Sequence, residues 1–192
     1  MSSHHFVKEK QEPALIIADL IGFDEEYLGQ LLEWSPTVLV PSHLIEKVIS
    51  LGIKIDVVLI TDNEEINNQE HLKLVKTGVD FLEDALKYLL FEGYPAVNIV
   101  HSQFQEKSYS LFLDAINVVI FKGNQKIYPV NSGFSKWKIS GEEIFVFHPE
   151  SIQNLSFSGL EKINENDFKT LQDGFFSFTF NQPYVLLPKS YD

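Results

Sequence analysis

The chain has 192 residues, 44% of them apolar, a formal net charge of −12 and no cysteine. That length and apolar content suffice for one large or two small packed domains. The missing cysteine excludes disulfides, thiolate metal sites and Cys nucleophiles, and fits a reducing cytoplasm, the compartment expected here. All fifteen basic residues are lysines. Nucleic acid, whose phosphates demand a basic face, is therefore not an expected partner. Any phosphate chemistry would also proceed without the bidentate fork of arginine. No apolar run reaches the length of about 18 residues that a membrane helix needs, and the polar start, Met1 to Pro13, does not read as a secretory signal.

Residues 1–12 read as a flexible arm. Ala14 to Asp19 is an apolar, β-branched run too short for a helix and is expected as a buried strand. Asp24 to Glu33 has acidic residues in its first turn and Tyr27, Leu28, Leu31 and Leu32 behind them, which predicts a short helix ended by Pro36. Thr37 to Val40 is a second strand. Ser42 to Leu51 is a helix with Ser42 as N-cap and Gly52 just past its end. Val57 to Ile60 is a third strand, running into an acidic turn, Thr61 to Glu65. Gln69 to Lys76 is expected as helix. Asp80 to Phe91 has an Asp80/Glu83 capping pair and an apolar face of Phe81, Leu82, Ala85, Leu86, Leu89 and Leu90. Val97 to Val100 is another strand.

This alternation implies a mostly parallel α/β sheet domain, placed at 13–118. From Ile116 the texture changes to short alternating strands between turn signals such as Lys122-Gly123-Asn124 and Asn131-Ser132-Gly133, as an antiparallel β-sandwich would show. That smaller domain is placed at 119–192. In it Phe176, Phe178 and Phe180 share one face of a strand.

An α/β half followed by a small β-sandwich is similar to the layout of thiamin pyrophosphokinases, and the resemblance is carried by particular stretches. His43 to Ile66 resembles that family's helix, its G-I-x-P-D stretch (here Gly52, Ile53 and Asp56), a buried strand and its acidic G-D-x-D-S turn (here Thr61-Asp62-Asn63-Glu64-Glu65). Phe81 to Leu86 resembles a T-D-x-E-x-A-L helix, with Glu83, Ala85 and Leu86 in agreement. Phe145-Val146-Phe147-His148-Pro149 followed by Leu155 to Leu160 is similar to a hairpin of the second domain.

The chemical motifs depart from the pattern. Phe81 stands where the magnesium-facing aspartate belongs, and Asp80 lies one position early, about 100° around a helix. His101 to Lys107 lacks the glycines, arginine and Asp-His pair of the loop G-x-x-G-x-R-x-D-H. The Ser-Asn segment expected before Phe175 is missing.

What the resemblance implies is Mg²⁺- and ATP-dependent pyrophosphoryl transfer to thiamin, giving thiamin diphosphate, by a homodimer. Asp62 and Glu64 would then be the catalytic carboxylates and, with Asp80, the metal ligands. Ser42 and His43 would contact nucleotide, where a helix N-terminus can hold phosphate. The residues alone also allow plainer roles. Asp62, Glu64 and Glu65 can be a solvated turn, Asp80, Glu83 and Asp84 a helix cap and its wet face, and Ser42 an ordinary N-cap. His101 and His148 have no partner at ligand spacing, and Trp137 and the phenylalanines suit a core or an interface. Two classes stay open: a divergent transferase using Mg²⁺ and ATP, and a protein that keeps the fold without catalysis, needs no cofactor, and binds a small molecule or assembles with a partner.

Overall fold

A computed structural model of the chain describes residues 10, 12–61 and 72–190. The acidic turn with Asp62, Glu64 and Glu65 lies outside the described residues. The chain divides into two compact units at Asn124/Gln125. No helix among the described residues is long and apolar enough to cross a membrane.

The first unit is built on parallel strands β1 (Ala14–Ile17), β2 (Val38–Pro41), β3 (Val57–Ile60), β4 (Lys73–Lys76), β5 (Ala96–Val100) and β6 (Asn117–Lys122). They lie in the order β6-β5-β1-β2-β3-β4, each parallel to its neighbour. Every residue of β1, β2 and β3 is buried. An unbroken branched-apolar run, rather than an alternating one, suits a strand covered on both faces.

Three helices, α1 (Glu25–Leu32), α2 (Ile45–Ser50) and α3 (Phe81–Phe91), connect these strands. Asp24 caps α1, its Oδ1 accepting from the Tyr27 amide at 2.8 Å. Asp80 caps α3, accepting from the Leu82 and Glu83 amides at 3.1 Å each. Glu83 completes no reciprocal box, because its carboxylate pairs with Lys87 at 2.7 Å. Gly52 ends α2 in the left-handed region, φ 74°, as a C-terminal glycine should. Asp56, in the stretch that matches the G-I-x-P-D pattern, is structural: its Oδ2 accepts from the Val38 amide at 3.0 Å and so fastens β2 beside β3.

Three expectations are corrected here. Ser42 does not cap a helix. It opens a 3-10 turn, Ser42–Leu44, whose N-cap is Pro41 with no side-chain cap bond. The proline holds φ but leaves no side-chain acceptor at that position.

Residues 73–76 are strand β4, not helix, with 69–71 outside the described residues. Two apolar residues between lysines carry no decisive period, and the free edge of β3 supplies backbone partners. The Lys73 amide donates to the Asp56 carbonyl at 3.0 Å and the Thr77 amide to the Ile60 carbonyl at 2.7 Å. Finally, β6 does not open an antiparallel sandwich. It pairs in parallel with β5, Val97 to Val118 and Ile99 to Ile120 in register.

The second unit contains β7 (Gln125–Val130), β8 (Ser135–Lys138), β9 (Glu143–Phe145), β10 (Ser156–Ser158), β11 (Leu160–Lys162), β12 (Asp167–Thr170), β13 (Gly174–Thr179) and β14 (Val185–Ser190). β7 and β14 pair antiparallel. Two three-stranded antiparallel sheets run β10-β13-β8 and β11-β12-β9. As their alternation predicts, Phe176, Phe178 and Phe180 are buried while Phe175 is 71% exposed. The core joins them to Phe168, Val146, Ile144 and Leu187, with edge-to-face ring contacts between Phe168 and Phe178 and between Phe176 and Phe178. Gly159, at φ 70°, sits so close to β13 that a Cβ there would meet the Phe175 carbonyl oxygen at 2.7 Å. Only glycine meets both demands.

Candidate functional site

From β1 the chain winds outward through β2, β3 and β4, then returns to the other side of β1 as β5 and β6. The direction of winding reverses between β1 and β5. The carboxyl end of such a switch point is where open α/β sheets bind ligands, because the two connecting loops part there. Asp19 follows β1 at this crevice, and His101 and Ser102 follow β5.

Asp19 binds the two loops together. Its Oδ2 accepts from the Ser102 amide at 3.0 Å and the Ser102 hydroxyl at 2.9 Å, across 83 residues of sequence. Its Oδ1 accepts from the Ile21 amide at 3.0 Å. Both oxygens are thus held by the protein's own donors.

His101 sits beside this pair with Nε2 3.8 Å from Asp19 Oδ2, and its Nδ1 lies 3.0 Å from the Tyr109 hydroxyl. Tyr109 is fully buried, and its ring is stacked on Phe104 with centroids 5.9 Å apart. Burial pushes the Tyr109 hydroxyl strongly upward, with the charges of Asp80 and Asp19 adding to it, so it keeps its proton, and the imidazole tautomer sets which of the two groups donates. Burial also lowers the His101 pKa, against the opposing pull of Asp19 and Asp80. Burial prevails because 3.8 Å exceeds hydrogen-bond length and Oδ2 already serves both Ser102 donors. The imidazole is neutral near pH 7.

Of the residues singled out from the sequence, Asp62 and Glu64 lie outside the described residues. Asp80 caps α3 with one of its oxygens, and its charge acts on both His101 and Tyr109. Asp84 accepts from the Gly78 amide at 2.7 Å and so closes the turn before that helix. Ser42 and His43 follow β2 in the 3-10 turn, His43 exposed. His148 takes a left-handed conformation in the second unit, 3.4 Å from Glu150.

The sequence alone does not single out Asp19 or Tyr109, and it offers His101 no partner at ligand spacing. The one available signal was Asp19 itself, a lone carboxylate closing the apolar run Ala14 to Ala18.

As a test of fit for Mg²⁺, the described residues fall short. Among them no cluster of three or more Asp, Glu and His side chains is disposed to hold a metal ion. Asp19 has both oxygens engaged, and Asp80 has one. The crevice can orient a neutral imidazole and a phenol, and it carries negative charge from two carboxylates.

No family model matches the sequence, and no curated protein matches it. Solved structures do match. Thiamine pyrophosphokinase from Bacillus subtilis superposes with a TM-score of 0.61 at 15% identity, covering 94% of this chain and 99% of that one. The Geobacillus thermodenitrificans thiamin pyrophosphokinase gives 0.65 at 8% identity, over 93% and 97%. The enzyme from Candida albicans gives 0.60 at 9% identity, over 94% and 90%. The chain therefore has the thiamin pyrophosphokinase fold, on a sequence that shares little with theirs.

Proposed function

We propose that this chain is a thiamin pyrophosphokinase-like protein that has kept the fold and lost pyrophosphoryl transfer, and that it serves as a binding or assembly protein. One observation carries the reading: the polar groups at the switch-point crevice are engaged with one another. Transfer from Mg·ATP to thiamin calls for carboxylates open to a metal and for cations or N–H groups around the phosphates. Here Asp19 holds two loops together and Asp80 caps α3. Phe81 replaces the expected aspartate, and residues 101–107 offer no arginine. Under this reading the first unit, extended from 118 to Asn124 to include β6, is nucleotide-binding-like and the second unit thiamin-binding-like, their original ligands replaced by another small molecule or by a protein partner.

A second reading, the active enzyme, draws on the convergence of the Asp80 and Asp19 charges on His101 and Tyr109. It would add Asp62 and Glu64 as metal carboxylates and Ser42 and His43 as nucleotide contacts. The deciding experiment incubates purified protein with thiamin and Mg·ATP and follows AMP and thiamin diphosphate. No product above a protein-free blank is expected. Sustained formation of both, abolished by Asp62→Asn, would establish the enzyme instead.

The chain is further proposed to be a homodimer. Trp137 and Phe175 are cross-strand partners on the exposed face of β8 and β13, 52% and 71% exposed, a surface suited to an interface. Light scattering at micromolar concentration should give twice the mass of one chain; a monomer rejects the claim.

A further inference from the structure

The second unit holds a cleft of about 300 Å³. Its deepest walls are Ile144, Phe176 and Leu187, each at most 9% exposed. Around them stand Tyr128, Lys136, Lys138 and Lys189, with Glu142, Glu143 and Asp167 lining the same space.

Three lysines and three carboxylates line this cleft, but they are not all paired with one another among the described residues. Lys138 pairs with Glu142. Lys136, one strand position before Trp137 and half-buried, makes no ion pair among the described residues. The charges acting on it are those of Lys189, Lys138 and Lys126, all repulsive, and that of Glu142, attractive. Burial and these three cations hold the Lys136 ammonium below the ordinary lysine range. A chain of net charge −12 has carboxylates in surplus, yet among the described residues none pairs with this ammonium. Like charges gathered against apolar walls raise the free energy of the empty site, and an arriving anion relieves that cost. Burial also pushes the Tyr128 hydroxyl up, leaving it a neutral hydrogen-bond donor beside the lysines.

We propose that this cleft binds a small organic anion with an apolar body, its charged group against the ammonium groups of Lys136 and Lys189 and its body against Ile144, Phe176 and Leu187. The volume, at the lower end of ligand pockets, admits a single-ring or short branched molecule. The three carboxylates in the same lining repel a polyphosphate and leave a carboxylate or phosphate monoester as the chemical class. The proposal uses no residue of the β1/β5 crevice, so it stands or falls apart from the function proposed above.

The test is calorimetric titration of the full chain with phenyl phosphate, benzoate and inorganic phosphate, with no magnesium, ATP or thiamin present. Phenyl phosphate or benzoate should bind at one site per chain, about ten-fold more tightly than inorganic phosphate. Lys136→Met should weaken that binding about ten-fold, the effect of losing one charge-assisted contact. Lys189→Met should also weaken it, while Lys122→Met, on β6, should leave it unchanged. Lys136→Met removes a repelled charge and keeps the aliphatic stem, so its fold should persist, checked by an unchanged melting curve. Absence of saturation by either aromatic anion at millimolar concentration overturns the proposal. So does full affinity in Lys136→Met, or inorganic phosphate binding as tightly as phenyl phosphate.

Discussion

At the crevice between β1 and β5, polar groups answer one another: Asp19 receives Ser102 and Ile21, and Tyr109 and His101 share a hydrogen bond. In the cleft of the second unit, Lys136 faces other lysines, and no carboxylate of the described residues pairs with it. Both are gatherings of polar side chains on strand scaffolds, yet one is closed in hydrogen bonds and the other open in charge. A satisfied network stabilises and orients what it touches. An uncompensated charge costs stability, and a protein keeps such a cost where function requires it. On the function proposed above, the crevice is architectural, and the proposed anion site lies in the second unit, away from it.

The largest expected effect tests the wall on which the cleft rests. Gly159→Ala forces a Cβ against the Phe175 carbonyl at 2.7 Å and the Phe176 Cα at 3.2 Å, at φ 70°. A loss of about 3 kcal/mol is expected in urea unfolding, together with loss of phenyl phosphate binding because Phe176 must move. Near-wild-type stability would show that β13 can yield and that the cleft is softer than argued.

Next comes the closed network. Asp19→Ala strands two backbone amides and the Ser102 hydroxyl, for a loss of about 2 kcal/mol by the same measurement. Asp19→Asn, which keeps acceptor oxygen, should recover part of it. If Asp19→Ala costs nothing, the crevice is not architectural and the contrast with the cleft fails.

A third effect is set by pH. The folded His101 pKa lies below the ordinary value of 6.5, so the unfolded chain binds more protons in the interval between the two. Stability is then fully present above 6.5 and falls as pH drops through that interval. In His101→Gln the decline with acid should be shallower in denaturant titrations run on both sides of pH 6.5. An unchanged or steeper decline would mean that Asp19 and Asp80 outweigh burial at the ring.

The smallest effect has the opposite sign. Lys136→Met should leave stability unchanged or raise it by about 0.5 kcal/mol, a modest value because the ammonium is partly solvated. A clear loss would show an undetected partner for Lys136 and would put the cleft in the same class as the crevice.

How much of this was legible in the sequence varies with the kind of residue. The buried strands β1, β2, β3 and β5 announce themselves as short branched-apolar runs, and α3 carries both its cap, Asp80, and its apolar face. The one-sided phenylalanines of β13 follow from alternation alone. Four-residue β4 is ambiguous because Leu74 and Val75 fit either period until β3 offers an edge. β6 reads as a sandwich strand because it ends in the turn signal Lys122-Gly123-Asn124, while nothing local marks its parallel pairing with β5. Ser42 looks like a cap because its type is right, while Pro41 ahead of it sets the local geometry.

By itself, then, the sequence determined the class of fold, the order of its strong elements, the exclusion of arginine and cysteine chemistry, and the acidic balance. These depend on local period and on composition, which need no partner to be read. The tertiary structure alone decided that Asp19 meets Ser102 across 83 residues, that His101 lies beside Tyr109 and Asp19, and that lysines from β8 and β14 converge on one cleft. Convergence of that kind is a property of strand order and register, and side chains far apart in the chain carry no mark of it until the sheets have formed.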